Sequence, residues 1–261
     1  MNIKQSLLRT FASGCIVLGF AGALDAQASV VVAGTRLIYN AKDSEVTVKL
    51  SNDGKSPALV QAWVDNGDTT AAPSTIDAPF TVTPPISRID PGKGQTLRIV
   101  YMGVPLPQQK ESVFWLNVLE VPPKPAAATA DANKLQLAFR TRIKLFYRPA
   151  DLKAEVGDAP ARIEWRLTQK DGHPALEARN PTPYHVSFTA IDASAGGKAA
   201  TVVDADMVNP QESRVFPLKG DVPETADLKV HYTTLNDYGG TVEGNSTLQQ
   251  GGTPAQALPR D

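Results

Sequence analysis

Short runs of apolar and β-branched residues, separated by glycine, proline, asparagine and aspartate, recur along the chain after residue 29. Residues 45–50 (E-V-T-V-K-L) alternate polar and apolar side chains, and the turn-forming residues 51–55 (S-N-D-G-K) follow directly. A period of two is typical of a half-buried β-strand, and no helical period extends over a dozen residues. The run at 80–89 contains Pro84 and Pro85, which favour an edge strand or a kink.

Two sets of strands are therefore predicted. The first set comprises residues 30–39, 45–50, 58–64, 80–89, 96–101, 112–119 and 135–147. The second set comprises residues 163–167, 176–179, 184–191, 201–203, 215–218, 228–234 and a weak run after Gly240. Seven short strands in about 120 residues match an immunoglobulin-like sandwich. The pattern alone also fits a generic β-sandwich or a barrel.

The length of 261 residues suits two domains better than one small sandwich. Residues 148–151 (R-P-A-D) interrupt the strand pattern and predict a hinge. We therefore predict an all-β fold with two immunoglobulin-like β-sandwich domains, at 29–149 and 150–247. The Pro- and Ala-rich segment 122–133 and the tail 248–261 are expected to lack regular structure.

The first 28 residues have the pattern of an export signal. Lys4 and Arg9 precede the uncharged, largely apolar segment 11–24, and Ala26-Gln27-Ala28 fits a cleavage site. We therefore expect the mature chain to begin at Ser29 and to reside in the periplasm. No later apolar run approaches the length of a membrane span, so no stable membrane insertion is expected.

Charge and cysteine content narrow the classes of partner. The chain has 26 basic and 27 acidic residues. Loss of the signal with Lys4, Arg9 and Asp25 leaves a net charge of about −2, which does not indicate a nucleic-acid partner. The single cysteine, Cys15, lies within the signal, so the mature chain should have no disulfide. Lipoprotein processing at Cys15 is the alternative, but the apolar run continues beyond it.

Motifs of catalysis are missing from the sequence. The three histidines, His173, His185 and His231, are scattered and have no metal-ligand spacing on one element. No nucleophile elbow, P-loop or dinucleotide-binding fingerprint is present. We therefore expect a protein that is not an enzyme and that needs no cofactor or metal.

Residues 110–122 (K-E-S-V-F-W-L-N-V-L-E-V-P) resemble the signature of the periplasmic pilus chaperones, the family of the P pilus and type 1 pilus chaperones. Gln109 departs from the Asp, Asn or Ser usual in the family just before the basic residue. Further matches, in the order expected for the family, lie at 34–39, 61–65, 83–86, 143–149, 180–184 and 236–240. The resemblance covers roughly residues 30–245.

The resemblance implies two immunoglobulin-like domains at an angle, with a cleft between them. It implies that the chaperone binds pilin or fimbrial subunits, which lack their last strand, by lending them one of its own. It also implies delivery of each subunit to an outer-membrane usher, without ATP. The long-loop subfamily carries a cysteine pair that this chain lacks, so the short-loop, rod-pilus type is favoured.

The donated strand is expected at 133–147, beginning at Asn133. Leu135, Leu137 and Phe139 lie two residues apart and so share one face of a strand. On the residues alone, the core of the protein itself is the favoured location of this face. The resemblance to the family favours donation to the subunit groove.

The resemblance also implies roles for charged residues. Arg36 and Lys144 match the anchor for the terminal carboxylate of a subunit, although an ordinary surface location is the alternative. Lys144 is an odd number of residues from Phe139, so it should point to the other face of the strand. Glu111, Arg148 and Asp237 match an ion network between the domains, with a structural role.

Two other functions are compatible with a β-rich exported chain. One is a structural immunoglobulin-like fibre subunit or adhesin, and the other is an exported enzyme with β-sandwich domains. The two complete strand sets argue against the first, and the missing catalytic motifs argue against the second. The sequence leaves open the client, the usher and self-association of the free form through an exposed strand edge.

Overall fold

The computed structural model describes residues 29–121, 137–221 and 228–248. The strands of the first domain are β1 (Val30–Val32), β2 (Arg36–Asn40), β3 (Val46–Asn52), β4 (Ala58–Asp65), β5 (Phe80–Thr83), β6 (Ile86–Ile89), β7 (Gly94–Tyr101), β8 (Ser112–Val121) and β9 (Phe139–Arg148). Those of the second are β10 (Glu164–Lys170), β11 (His173–Arg179), β12 (Val186–Ala195), β13 (Lys198–Val202), β14 (Met207–Val208), β15 (Ser213–Gly220), β16 (Leu228–Leu235) and β17 (Thr241–Leu248). Single 3₁₀ turns lie at Pro73–Thr75, Val156–Asp158 and Pro160–Arg162.

The strands of the first domain form two sheets that face each other. One sheet has the order β1-β3-β7-β5, and the other has the order β2-β9-β8-β4-β6. All pairs in these sheets are antiparallel except β2 with β9, which is parallel. The strands of the second domain follow the order β10-β11-β15-β13-β12-β16-β17, with β14 paired to β12.

The alternation along each strand accounts for the core of the first domain. Leu50, Leu97, Ile99, Leu116 and Leu145 come from both sheets and are fully buried. Burying one such side chain stabilises a fold by about 1.5–3 kcal/mol. Within this core, five aromatic rings pack against one another in edge-to-face, tilted and stacked pairs: Tyr39, Phe80, Tyr101, Phe114 and Tyr147.

The prediction of one strand over 30–39 is wrong in detail. The run divides into β1, in one sheet, and β2, in the other. Gly34 lies between them with φ +101°, a conformation that glycine adopts without a steric cost. A change of sheet within one apolar run leaves no break in the hydrophobic pattern. The run at 80–89 divides similarly at Pro84 and Pro85, and β5 and β6 are edge strands, as the prolines predicted.

The second domain has its own core. Trp165, Phe188, Phe216 and Tyr232 pack together at its centre. The weak run after Gly240 forms the full strand β17, paired with β16 at eight positions. One reason for the weak hydrophobic pattern of β17 is Gly244. A side chain does not fit there, because an added Cβ would lie 2.4 Å from the ring of Tyr232. Among the described residues, no helix has the length and apolar character needed to cross a membrane.

Candidate functional site

Strand β9 has two neighbours along one half of its length and one along the other. It pairs with β8 from Phe139 to Tyr147, but with β2 only from Lys144 to Arg148. We call residues 139–143 the open half of β9 and residues 144–148 the closed half. The backbone edge of the open half that faces away from β8 has no strand partner among the described residues.

One face of β9 points into the first domain. Ile143, Leu145 and Tyr147 are buried in its core. Phe139 lies on the same face and is half-buried, while Leu137, just before the strand, is 50% exposed. Asn133 and Leu135, also predicted for the donated strand, lie outside the described residues. The alternative that this face packs on the core of the protein itself therefore holds for 143–147, whereas Leu137 is left uncovered.

Arg36 and Lys144 face each other at the boundary between the two halves. They are directly paired positions of β2 and β9. Lys144 Nζ lies 3.7 Å from Asp206 Oδ1, and Arg36 Nη1 donates a hydrogen bond of 3.2 Å to the carbonyl of Leu235. Both contacts reach the second domain. The odd spacing from Phe139 predicts the opposite face for Lys144, and Lys144 alternates with the buried residues of β9 as that prediction requires.

The two cations are partly desolvated. Burial lowers the pKa of Lys144; Asp206 opposes this decrease, and the neighbouring charge of Arg36 adds to it. Burial also lowers the pKa of Arg36, against the attraction of Asp237 and Glu111. The Arg36 Nε atom is buried and has no hydrogen-bond partner in the described part of the chain. A pair of under-compensated donors of this kind favours an anion with two acceptor oxygens.

The structure brings Glu111, Arg148 and Asp237 together across the domain junction. Arg148 Nε donates to Glu111 Oε1 at 2.7 Å. Its Nη1 and Nη2 donate to the two carboxylate oxygens of Asp237 at 2.6 and 2.8 Å. Burial acts to lower the pKa of Arg148, but the hydrogen bonds and charges of Asp237 and Glu111 outweigh it and raise that pKa. Arg148 is thus held as a cation between two carboxylates from different domains.

Sequence reasoning missed two further members of this network. The backbone N–H of His185 donates to Glu111 Oε2 at 2.8 Å, and His185 Nδ1 lies 3.1 Å from the same oxygen. The Glu111 N–H in turn donates to the carbonyl of Pro183 at 2.9 Å. The motif at 180–184 lies directly before His185. The motif indicated that this region matters, but it did not indicate the contact of His185 with Glu111.

A pocket of about 270 Å³ lies beside Arg36, between the domains. Arg36 and Phe146 line it from the first domain. The wall from the second domain is largely apolar: Val156, Gly157, Ala159, Pro160, His185, Val186, Thr234, Leu235, Asn236, Asp237, Tyr238 and Val242. Arg36, one of the two cations, therefore lines a cleft to which both domains contribute.

Two family models match the chain in succession. Residues 29–153 match the model described as pili and flagellar-assembly chaperone, PapD N-terminal domain, and residues 158–246 match pili assembly chaperone PapD, C-terminal domain. The chain belongs to this family of pilus-assembly chaperones. The similarity to periplasmic pilus chaperones seen in the motifs is thereby confirmed.

Curated relatives of this chaperone family cover nearly the whole chain. The probable fimbrial chaperone YadV of Escherichia coli K12 is 46% identical over 236 residues, which cover 90% of this chain and 96% of YadV. The chaperone protein FimB/FhaD of Bordetella pertussis is 45% identical and covers 82% of this chain and 86% of its own length. Relatives named as chaperones favour that function over the structural fibre subunit.

Solved chaperone structures have the same fold. The crystal structure of YadV matches with a TM-score of 0.73 and 44% identity, over 85% of this chain and all of the crystallised YadV chain. The SafB chaperone of Salmonella enterica, solved in complex with the SafA pilin, matches with a TM-score of 0.70 and 26% identity, over 85% of this chain and 97% of SafB. The prediction of an all-β chaperone with two immunoglobulin-like domains is confirmed.

Proposed function

We propose that this chaperone acts in the periplasm, that it binds pilin subunits by donating β9 to them, and that it delivers them to an outer-membrane usher. The observation that carries the proposal is the open half of β9, a strand edge that has no strand partner among the described residues and that ends at two partly desolvated cations. The structural match to SafB, solved with its pilin, supports the choice of client class.

The open edge supplies the general attraction. A subunit strand placed beside residues 139–143 would exchange backbone hydrogen bonds with β9 and extend the sheet by one strand. Leu137 and Phe139 would then cover the exposed core of the subunit. Each fully buried side chain of this size contributes about 1.5–3 kcal/mol, from which the cost of ordering the partners is subtracted.

The two cations supply register. A client carboxylate bound by Arg36 and Lys144 would stop the client strand where β2 begins, at the boundary of the closed half. With its C-terminus there, the client strand runs parallel to β9, as β2 does. Fixing one end of the strand selects one register among the slipped alternatives that a bare strand edge would allow. Charge-assisted hydrogen bonds in a partly desolvated cleft are stronger than those at an exposed site.

The network of Glu111, Arg148 and Asp237 would hold the second domain at a fixed angle to this edge. Arg148 closes the β9 strand, so its contacts tie the donated strand itself to the second domain. Binding by strand pairing and carboxylate capture requires no chemical step. We therefore propose a function without catalysis, cofactor or metal.

The contacts of Ser29 support a mature chain that begins there. The Ser29 nitrogen lies 3.0 Å, and the Val30 nitrogen 3.1 Å, from Glu120 Oε2. Removal of residues 1–28 would convert the Ser29 nitrogen into an ammonium group that faces this carboxylate. A charge-assisted pair is stronger than the neutral hydrogen bond it replaces.

The deciding experiment is co-purification from periplasm of the tagged protein in cells that express the cognate fibre genes. Wild type should bring down a small subunit, identified by mass spectrometry, and Leu137→Glu should lose at least about 90% of it while remaining folded. Leu59→Glu is the matched control, because Leu59 is a comparably exposed leucine on β4. The same spectra should give Ser29 as the N-terminal residue.

Recovery of no subunit with wild type would overturn the proposed function. Equal recovery with Leu137→Glu would overturn donation by this face of β9 while leaving a chaperone function in place.

A further inference from the structure

Asp65 is a fully buried carboxylate at the end of β4, on the outer face of the five-stranded sheet. Its Oδ1 accepts hydrogen bonds from Arg142 Nη2 at 2.5 Å and from the Gly67 N–H at 2.7 Å. Its Oδ2 accepts from Asn117 Nδ2 at 2.7 Å and from Arg142 Nε at 3.2 Å, with Arg140 Nη2 at 3.4 Å. All the donors named here belong to the five-stranded sheet or to the turn that follows β4.

The cluster spans three strands. Asp65 belongs to β4, Asn117 to the central strand β8, and both arginines to the open half of β9. Asn117 is also fully buried and is paired with Arg142 in the β8–β9 register. Its Oδ1 accepts a hydrogen bond of 2.8 Å from Arg140 Nε. The open half of β9 is thus tied through its side chains to a strand that it does not touch through its backbone.

Two tryptophans cover the arginines. The Arg142 guanidinium lies 4.6 Å from the ring centre of Trp115, and that of Arg140 lies 5.0 Å from the ring centre of Trp63. Cation–π contacts at this distance are attractive and strengthen when water is excluded. Burial acts to raise the pKa of Asp65, but hydrogen bonds from Arg142, Asn117 and Gly67 outweigh it and lower that pKa. The carboxylate is therefore ionised throughout the physiological pH range.

The closed half of β9 is held in place without a cluster like that around Asp65. Residues 144–148 are held between β2 and β8, and Leu145 and Tyr147 are buried. Within residues 29–121, 137–221 and 228–248, the open half pairs with β8 alone, and Ile143 is its one residue in the buried core. Local unfolding of a segment with one neighbouring strand breaks fewer contacts, and so costs less free energy, than local unfolding of a segment between two strands.

We propose that Asp65 is a positioning residue that holds the open half of β9 extended and in register before a subunit arrives. This inference rests on the proposed function, because it assigns Asp65 a part in subunit capture. A strand that is already ordered costs less entropy to bind, so the same contacts give a higher affinity. Asp65 acts through Arg140 and Arg142 and would itself touch no part of the subunit.

Hydrogen–deuterium exchange of the free protein, with Asp65→Asn and Arg142→Met as variants, tests the proposal. Those amides of 139–143 that are hydrogen-bonded to β8 should exchange at least about tenfold faster in both variants, whereas the amides of 144–148 and of the second domain should be unchanged. Glu45→Gln is the control, because Glu45 forms an exposed pair with Arg98 on the other sheet. Its exchange pattern should be that of wild type.

The affinity for the subunit recovered with wild type is the second readout. Asp65→Asn should weaken this affinity about tenfold, which corresponds to ~1.4 kcal/mol.

Exchange within the complex is the third readout. Amides of 139–143 in the bound variant should exchange as they do in bound wild type, because the bound strand then has two neighbours.

Unchanged exchange at 139–143 would overturn the positioning role even if the subunit binds. Uniformly faster exchange in both halves, or failure of both variants to fold, would show a role in overall stability alone and would also overturn it. Failure of wild type to bind any subunit would instead remove the proposed function, which separates the two outcomes.

Discussion

The two halves of β9 belong to one strand but have different surroundings. Both pair with β8 and both carry two basic residues, Arg140 and Arg142 in the open half and Lys144 and Arg148 in the closed half. The closed half is completed by β2 and by the core, so its side chains contribute to the stability of the chaperone itself. The open half has one backbone edge without a strand partner in the described part of the chain, and the exposed Leu137 lies just before it. One strand can therefore belong to the fold at one end and be available to a partner at the other.

The sharpest test of this contrast is to shorten one leucine of the closed half and one leucine that lies just before the open half. Leu145→Ala, in the closed half, should lower the free energy of unfolding by about 2–5 kcal/mol, because it leaves a cavity in the core. Leu137→Ala should change it by less than about 0.5 kcal/mol, as an exposed substitution does. Chemical denaturation monitored by tryptophan fluorescence measures both values. Equal losses would mean that the two halves do not differ in the way described.

The next test concerns the point at which the closed half meets the second domain. A double-mutant cycle with Glu111→Ala and Arg148→Ala should give a coupling free energy of about 1–3 kcal/mol, because the pair is buried and shares a network. The same cycle on Glu164 and Arg179, an exposed pair 2.6 Å apart, should give about 0.2–1 kcal/mol. Denaturation curves of the variants provide both numbers. A coupling at Glu111 no larger than the control would argue against a network that fixes the domains.

The smallest expected change in stability lies at the boundary between the halves. Since burial lowers the pKa of Lys144 in the folded protein, its charge is less favourable there than in the unfolded chain. Lys144→Met should therefore slightly raise the free energy of unfolding at neutral pH. This gain should be full below the folded pKa and should vanish as the pH rises towards the unfolded value of about 10.4.

The same variant should bind the subunit about 10–100-fold more weakly, as expected for loss of a charge-assisted hydrogen bond. Lys198→Met is the control, because Lys198 lies on β13 of the second domain and, like Lys144, pairs with an aspartate, with its Nζ 3.2 Å from Asp221 Oδ1. A Lys144 variant that is both less stable and fully competent in binding would contradict the anchor.

The predictability of these features depends on how local they are. The alternation of 45–50 and the prolines at 84 and 85 indicated strands and a break, because both effects act over a few residues. The division of 30–39 between two sheets did not show, because apolar side chains serve either sheet equally well. The opposite orientation of Lys144 followed from counting residues along one strand.

The Asp65 cluster could not be found in this way. Its members lie on β4, β8 and β9, and their contact depends on strand order, which requires the whole sheet. Arg140 and Arg142 could be assigned to an outward face, but their shared carboxylate is some 75 residues away in sequence. The role of His185 could not be predicted for a similar reason, because its contact with Glu111 crosses the domain junction.

The arginines of the open half also affect which strands can pair with its edge. An unpaired strand edge can join a second copy of the same chain as readily as a client. Edge-to-edge pairing of two copies would bring Arg140 and Arg142 of each against those of the other, four positive charges against the two negative charges of the Asp65 carboxylates. Like charges on neighbouring strands repel, so these arginines would oppose pairing of two copies, most strongly at low ionic strength. A neutral or acidic strand would meet no such repulsion.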